Sequence, residues 1–155
     1  MNDAKFSLDG KLIASVDDAG RMIVRETRSD RTLFNVQAGI GILMKVDISE
    51  DNRYFITAGM LLNEISVIDH FGNKIQGESF DEAPSNVQFI GKDKFVVAIN
   101  VFRTYKMFLL EGFIKSGRII SAEKARLLEE GMTQFSIPKK VENQLMLHLW
   151  LNLPT

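Results

Sequence analysis

The 155-residue chain contains no cysteine, and this absence removes several kinds of chemistry at once. Disulfide bonds, thiolate metal sites and a cysteine nucleophile are all excluded. Histidine is scarce as well, with only His70 and His148. His70 lies in the turn-like run DHFGN, and His148 alternates with leucines in a strand-like run, so both fit structural positions. We therefore predict no catalytic residue, no metal site and no other cofactor.

The sequence also lacks a clear excess of either charge. Its formal net charge is −1, whereas a protein that binds duplex nucleic acid normally has a basic face. The arginines between residues 21 and 31 are interleaved with acidic residues, which is typical of a solvated surface. The most apolar run, FVVAINVF from residue 95, is too short to span a bilayer. We expect no nucleic-acid or membrane partner, and a cytoplasmic location with a nuclear one as the alternative.

What the sequence does contain is a repeated segment. Each copy begins with an apolar residue, continues through a turn of Gly, Asn or Asp, and ends in an apolar strand, as a β-hairpin requires. The copies align without a gap at offsets of 42 and 41 residues: FSLDGKLIAS (6–15), ISEDNRYFIT (48–57) and FIGKDKFVVA (89–98). We predict three hairpins, with turns at residues 9–10, 51–52 and 92–93.

Two further strands are predicted after each hairpin. The third strand of each unit ends in an acidic residue: RMIVRE at Glu26, EISVID at Asp69 and KMFLLE at Glu111. A turn and a fourth short strand follow, as RTLFNV, NKIQG and GRIIS. Four short strands at a period of about 40 to 45 residues are typical of a β-propeller blade. Such a blade is a sheet that neighbouring blades must cover.

The sequence resembles the WD-repeat propeller family over residues 3 to about 120, and the matching motifs lie in the first two units. Ser15 and Thr57 stand where that family has the hydroxyl of its second strand. Arg25-Glu26 and Ile68-Asp69 stand at its Trp-Asp pair, although neither contains Trp. No Gly-His dipeptide precedes a unit, QAGIG being the nearest equivalent, so the hydrogen-bond network that the family builds from His, Asp, Ser or Thr, and Trp is incomplete. The resemblance implies a partial propeller.

The pattern divides the chain at about residue 120. Residues 1–120 are interpreted as three WD-like blades. The run SAEKARLLEEG (121–131) has Ser121 as a possible N-cap, strong helix formers and Gly131 as a stop, and it predicts a short helical insertion. Residues 132–155 alternate leucine with other residues, which indicates the start of a fourth blade or a closing strand. The predicted fold is mainly all-β, with about three and a half four-stranded blades and one short helix.

Apolar loops are predicted on one face of this propeller. The loops between strands two and three emerge on the same face, and they read GMLLN (59–63) in blade two and NVFRT (100–104) in blade three. Contiguous exposed apolar surface usually marks a partner site. The candidate partner-binding residues are therefore Met60, Leu61, Val101, Phe102 and Arg103. The alternative is that these loops fold inward and cap the core.

The leading functional hypothesis is a noncatalytic protein-interaction scaffold built from WD-like propeller blades. One alternative is a fragment of a propeller-containing enzyme, and another is a ligand-binding propeller, whose functional residues would lie outside this chain. An incomplete ring leaves sheet edges open, and open edges favour pairing with another chain. We therefore expect a protein partner, or self-association through the open blade edges.

Overall fold

The computed structural model describes residues 1–80, 82–101, 106–115, 118–122, 127–128, 135–136 and 148–149, and every regular element within them is a β-strand. Blade one contains β1 (Asp3–Phe6), β2 (Leu12–Val16), β3 (Arg21–Glu26) and β4 (Thr32–Gln37). Blade two contains β5 (Leu43–Ile48), β6 (Tyr54–Gly59), β7 (Glu64–Asp69) and β8 (Lys74–Ser79). Blade three contains β9 (Pro84–Phe89), β10 (Lys94–Val101), β11 (Lys106–Lys115) and β12 (Arg118–Ala122). In each blade these strands form an antiparallel sheet in chain order, which confirms the predicted partial propeller.

The hairpin turns of blades one and two are built by the same hydrogen bonds. Ser7 Oγ donates to Asp9 Oδ1 at 2.7 Å, and Ser49 Oγ donates to Asp51 Oδ1 at 3.0 Å. Each serine hydroxyl also accepts the amide hydrogen of the first residue of the next strand, at 2.9 Å in both blades. The residue after each aspartate has a positive φ, as the predicted turns at 9–10 and 51–52 require. The repeat is thus a repeat of hydrogen bonds as well as of sequence.

The third hairpin has a shorter turn than the first two. Its turn closes with a hydrogen bond from the Ile90 amide to the Lys94 carbonyl oxygen at 2.7 Å. The turn spans residues 90–93, and its positive φ lies at Gly91, not at the predicted 92–93. Ile90 stands where the other blades have serine and has no hydroxyl to hold the wider turn. The physical cause of the difference is this missing side-chain bridge.

The shorter turn changes the register of blade three. Phe95 pairs with Phe89, just as Phe55 pairs with Ile48 in blade two. The gapless alignment of the third segment is therefore wrong by one residue beyond its turn. β11 also continues past Glu111, the residue predicted to end it. In pairing terms, Phe95 is the counterpart of Phe55.

Two hydrophobic clusters lie between the stacked sheets. Because side chains alternate along a strand, blade two buries one face against blade one and the other against blade three. The first cluster includes Ala14, Val16, Met22, Val24, Val46, Ile48, Phe55 and Ile68. The second includes Ile56, Ala58, Ile65, Val67, Val87, Phe89, Phe95 and Val97. An edge-to-face contact between Phe34 and Phe55, with ring centroids 5.4 Å apart, adds to the first cluster.

Carboxylates link the first strands of neighbouring blades. Asp47 Oδ2 in blade two accepts a hydrogen bond from the Phe89 amide of blade three at 2.7 Å, and Asp47 is only 2% exposed. Asp3 Oδ2 in blade one accepts a hydrogen bond from the Val46 amide of blade two at 3.1 Å. These bonds join the backbone of one blade to a side chain of the preceding blade. They therefore fix the position of each first strand along the first strand of its neighbour.

The departure from the WD pattern has a visible consequence in blade two. Thr57 is buried, and its Oγ1 has no hydrogen-bond partner among the residues that the structure describes. Ser66, which pairs with Thr57 across β6 and β7, is also buried and unpartnered at its Oγ. Blade two thus keeps the second-strand hydroxyl of the WD-repeat pattern at Thr57. Among the described residues, the hydrogen-bond partners that this hydroxyl has in the WD-repeat network are missing.

The predicted helix over 121–131 is wrong at the residues that the structure describes there. Ser121 lies in β12 and pairs with Gly112, while β13 (Leu127–Leu128) pairs with β11. Pairing with the long β11 strand outweighs the local helix propensity of this run. Further along, β14 (Phe135–Ser136) pairs antiparallel with β15 (His148–Leu149), and the assignment of residues 132–155 to a fourth blade stays a prediction. Among the described residues there is no helix that could reach across a bilayer.

Candidate partner-binding surface

An apolar surface forms where the link between blades one and two meets the β6–β7 loop. The link runs from Ala38 to Ile42, and the loop runs from Met60 to Asn63. The Met60 amide donates a hydrogen bond to the Ile42 carbonyl oxygen at 3.0 Å, which ties the two segments together. Their exposed apolar side chains, called the rim patch below, are Ile40, Ile42, Met60, Leu61 and Leu62.

Glycine at position 41 allows the two segments to approach closely. Gly41 has a φ of 72°, and a Cβ placed on it would lie 3.0 Å from a methyl carbon of Leu61. Any larger residue would be strained at this φ, and the Leu61 side chain would have to shift by a few tenths of an ångström. The packing of Leu61 against this bare backbone holds its side chain at the surface, where 66% of it remains exposed.

Backbone hydrogen bonds anchor the rim patch to the loop of blade one. The amides of Ala38 and Gly39 both donate to the Gly20 carbonyl oxygen, at 2.9 and 3.1 Å. The Leu43 amide donates to the Asp17 carbonyl oxygen at 3.1 Å. Gln37 Nε2 adds a bond to the Ala19 carbonyl oxygen at 2.7 Å. The backbone beneath the apolar side chains is thus tied to two blades and is organised before any partner arrives.

Polar groups flank the rim patch on both sides. Lys74 Nζ lies 3.7 Å from Glu64 Oε1, at the start of the strand that follows the loop. On the blade-one side, Arg21 Nη2 lies 2.8 Å from Asp17 Oδ2, and Asp18 Oδ1 accepts a hydrogen bond from Asn2 at 2.7 Å. An apolar centre with a polar surround is the usual arrangement of a protein-binding surface.

Two of the five predicted site residues lie in this surface. Met60 is 48% exposed, and Leu61 is the most exposed member of the rim patch, so neither caps the core in the described structure. Val101 ends β10, and of this residue only the backbone is described. Phe102 and Arg103 lie outside the described residues. The partner-binding role of all five stays a prediction.

Sequence reasoning missed Ile40, Ile42 and Leu62. Leu62 stood in the same loop segment as Met60 and Leu61, and the two isoleucines stood in the link AGIGILM. In this link two glycines each precede an isoleucine that is exposed in the structure. A link that only connects two blades does not need large apolar side chains, so this pattern could have indicated a binding surface.

The carboxylates in the hairpin turns accept hydrogen bonds that hold those turns. The hydrogen bond from the Ser7 hydroxyl is the largest cause that holds the pKa of Asp9 well below its usual value, and the bond from the Lys11 amide acts in the same direction. Burial would raise the pKa of Asp51, but hydrogen bonds from Arg53 and Ser49 lower it overall. The pKa values of Asp17, Glu26 and Asp69 are shifted in the same direction. Carboxyl groups of this kind stay ionised and are poor general acids near neutral pH.

Of the two histidines, only His70 has a described side chain. His70 is exposed in the β7–β8 turn, and its ring lies over that of Phe71 with centroids 3.8 Å apart. Only the backbone of His148 is described, in β15. In the part of the chain whose side chains are described, no cluster of three or more His, Asp or Glu side chains could hold a metal ion.

Comparison with known proteins gives a likeness of fold only. No protein-family model and no curated sequence matches the chain. The β-propeller domain of Cps50 (Swd1) from Myceliophteria thermophila matches with a TM-score of 0.66 at 14% identity, over 94% of this chain and 40% of that one. A chain of the mitotic checkpoint complex gives 0.67 at 11% identity, over 80% and 38%. A putative 6-phosphogluconolactonase from Bacteroides fragilis gives 0.66 at 15% identity, over 83% and 39%.

These matches agree with the blade architecture derived from the strands. The chain has a WD-repeat-like β-propeller fold, with degenerate repeats and an incomplete set of blades. It spans about two fifths of the length of the structures that it matches. The similar structures include both a protein of a multiprotein complex and a putative enzyme, so the fold by itself does not decide between binding and catalysis.

Proposed function

We propose that the chain is a noncatalytic propeller scaffold that binds a protein partner through the rim patch. The observation that carries this proposal is the contiguous set of exposed apolar side chains, Ile40, Ile42, Met60, Leu61 and Leu62, on two tied segments. We also propose a cytoplasmic or nuclear setting, and a partner that is neither nucleic acid nor membrane. The near-neutral charge of the chain supports that choice.

The hydrogen-bonded backbone under the rim patch favours binding. Association costs free energy when loops must be ordered, and pre-organised loops reduce that cost. Leu61 and Ile40 are each more than half exposed, so a partner that covers them removes apolar surface from water. Fully burying one such side chain is worth about 1.5 to 3 kcal/mol, so covering the exposed part of Leu61 contributes about 1 to 2 kcal/mol. Several such contacts together contribute a substantial part of a binding free energy.

The fold neighbours support a protein partner to a limited extent. One of them is a chain of the mitotic checkpoint complex, and therefore a propeller that acts within a protein assembly. The identity between that chain and this one is 11%, so the comparison supports the class of function and not a particular partner. The partner is thus defined here by chemistry, as a protein segment with apolar side chains that fit the rim patch.

A catalytic role is the alternative, since a putative 6-phosphogluconolactonase has a similar fold. Such a role requires polar groups that converge on a substrate. The described carboxylates with lowered pKa values lie in separate turns and accept hydrogen bonds that hold these turns, and Asp9 also accepts one from Asn52 of the neighbouring turn at 3.0 Å. This arrangement favours the scaffold over the enzyme.

Photo-crosslinking tests the proposed function. A photo-reactive amino acid replaces Leu61 in one variant and Phe71, which is exposed in the β7–β8 turn, in a matched control. We expect a defined protein adduct from position 61, competed by excess wild-type chain but not by the Leu61→Ser variant. The captured protein is then purified and titrated against both chains by calorimetry. Equal affinity for wild type and Leu61→Ser, or equal capture at Phe71, would overturn the proposal.

A further inference from the structure

The link between blades one and two is held at both ends by the β2–β3 loop of blade one. At its first end, the amides of Ala38 and Gly39 donate to the Gly20 carbonyl oxygen at 2.9 and 3.1 Å. At its second end, the amide of Leu43, the first residue of β5, donates to the Asp17 carbonyl oxygen at 3.1 Å. The two isoleucines that the link contributes to the rim patch lie between these ends. Their position therefore depends on a loop that is not part of the rim patch.

Gln37, the last residue of β4, closes the first end of the link with its side chain. Its Nε2 donates to the Ala19 carbonyl oxygen of the loop and to the Gly39 carbonyl oxygen of the link, both at 2.7 Å. A side-chain amide has two donor hydrogens, and Gln37 uses both to join the loop to the link. A carboxylate at the same position has no hydrogen to donate and would face two carbonyl oxygens.

Gly20 allows the loop and the link to come this close. It has a φ of 79°, and a Cβ placed on it would overlap the Gly39 carbonyl oxygen and lie 2.5 Å from Gln37 Nε2. Both the φ and the space therefore exclude a side chain at this position. Gly41 makes the corresponding close approach on the other side of the link, against Leu61. The link is thus packed between the loop of blade one and the loop of blade two.

We propose that these contacts set the affinity of the rim patch for its protein partner, an inference that rests on the proposed function. They are called the link clamp below, and its residues are Asp17, Ala19, Gly20 and Gln37. None of the four belongs to the rim patch, so the clamp acts through the link, and Gln37 is a positioning residue. When the clamp opens, the isoleucines of the link lose their fixed position beside the β6–β7 loop, and the rim patch no longer presents one continuous apolar surface.

Opening of the link clamp lowers the affinity because the partner then binds only a fraction of the molecules. The apparent dissociation constant equals the intrinsic constant divided by the fraction that is competent to bind. Each hydrogen bond shifts an equilibrium by about two- to tenfold, and Gln37→Glu removes two of them and sets a carboxylate against two carbonyl oxygens. We expect the clamped fraction to fall to about one tenth, which raises the apparent dissociation constant about tenfold.

Hydrogen exchange measured by nuclear magnetic resonance tests the link clamp without any partner. In Gln37→Glu, the amides of Ala38 and Gly39 are expected to exchange at least about tenfold faster than in the wild type. Gln37→Met, which removes the two donor hydrogens without adding charge, is expected to act in the same direction. Asn35→Asp is the matched control, since Asn35 is exposed on the same strand and gains the same charge. It is expected to leave both exchange rates unchanged.

Calorimetry with the protein captured by photo-crosslinking tests the effect on affinity. We expect Gln37→Glu to raise its dissociation constant about tenfold and Asn35→Asp to leave it unchanged. Ser49→Ala, which weakens the hairpin turn at the other end of β6, controls for a loss of stability and is expected to bind as the wild type does. An affinity that depends on Leu61 but not on Gln37, or exchange rates that neither Gln37 variant changes, would overturn this inference alone. An affinity independent of Leu61 would overturn the proposed function, and this inference with it.

Discussion

Replacing Asp47 with alanine tests how the blades are held together. Asp47 Oδ2 accepts the Phe89 amide hydrogen at 2.7 Å across the interface between blades two and three, and both residues are almost fully buried. Hydrogen bonds to charged groups contribute about 1.5 to 3 kcal/mol, and a buried amide left unpaired costs about 1 to 3 kcal/mol. Both figures describe the same lost hydrogen bond and are not added, so we expect Asp47→Ala to lower the free energy of unfolding by about 1.5 to 3 kcal/mol.

Urea unfolding followed by far-ultraviolet circular dichroism measures this loss. Asp47→Asn keeps an oxygen acceptor for the Phe89 amide, and we expect it to cost less than Asp47→Ala. Asp18→Ala is the matched control, because Asp18 is exposed and also accepts one side-chain hydrogen bond, and its cost is expected to be within about 0.5 kcal/mol. Hydrogen exchange of the Phe89 amide is expected to accelerate in Asp47→Ala. A loss no larger than that of Asp18→Ala would refute the role of this bond.

Three further predictions follow from burial and turn geometry. Ser49→Ala removes the hydroxyl that bridges its hairpin turn, and urea unfolding is expected to show a loss of about 1 kcal/mol. Phe89→Ala is expected to cost about 3 to 5 kcal/mol in the same assay, against little change for the exposed Phe71→Ala. Asp9 and Asp51 have lower pKa values folded than unfolded, so their contribution is complete above an unfolded-state value near 3.8 and is lost as the pH falls below it. Urea midpoints measured from pH 7 to pH 3 are expected to stay level until about pH 5 and then fall.

The hairpins of blades one and two could be predicted because local chemistry encodes them. A serine, an aspartate and a residue that tolerates positive φ stand at fixed spacing, as in Ser7, Asp9 and Gly10, and each makes a contact that the turn needs. The third turn could not be predicted as well, because GKDK fits the repeat with or without a gap. Only the pairing of Phe89 with Phe95 shows that one residue is missing from it.

Tertiary pairing explains the errors further along the chain. The run from Ser121 to Gly131 has strong helix propensity, but Leu127 and Leu128 pair with the long β11 strand, and this pairing depends on residues distant in sequence. The rim patch was predicted only in part, since Met60 and Leu61 stood in a loop that the repeat placed on one face. Ile42 was missed, because its exposure depends on how the link folds back against the loop.

Methyl nuclear magnetic resonance of the chain, titrated with the protein captured by crosslinking, tests the central claim most directly. Every member of the rim patch is an isoleucine, leucine or methionine, so each side chain provides its own methyl reporter. We predict that shift changes on binding are concentrated at Ile40, Ile42, Met60, Leu61 and Leu62, and that they disappear with Leu61→Ser. Changes that spare these methyl groups and fall elsewhere on the chain would contradict the assignment of the rim patch as the partner-binding surface.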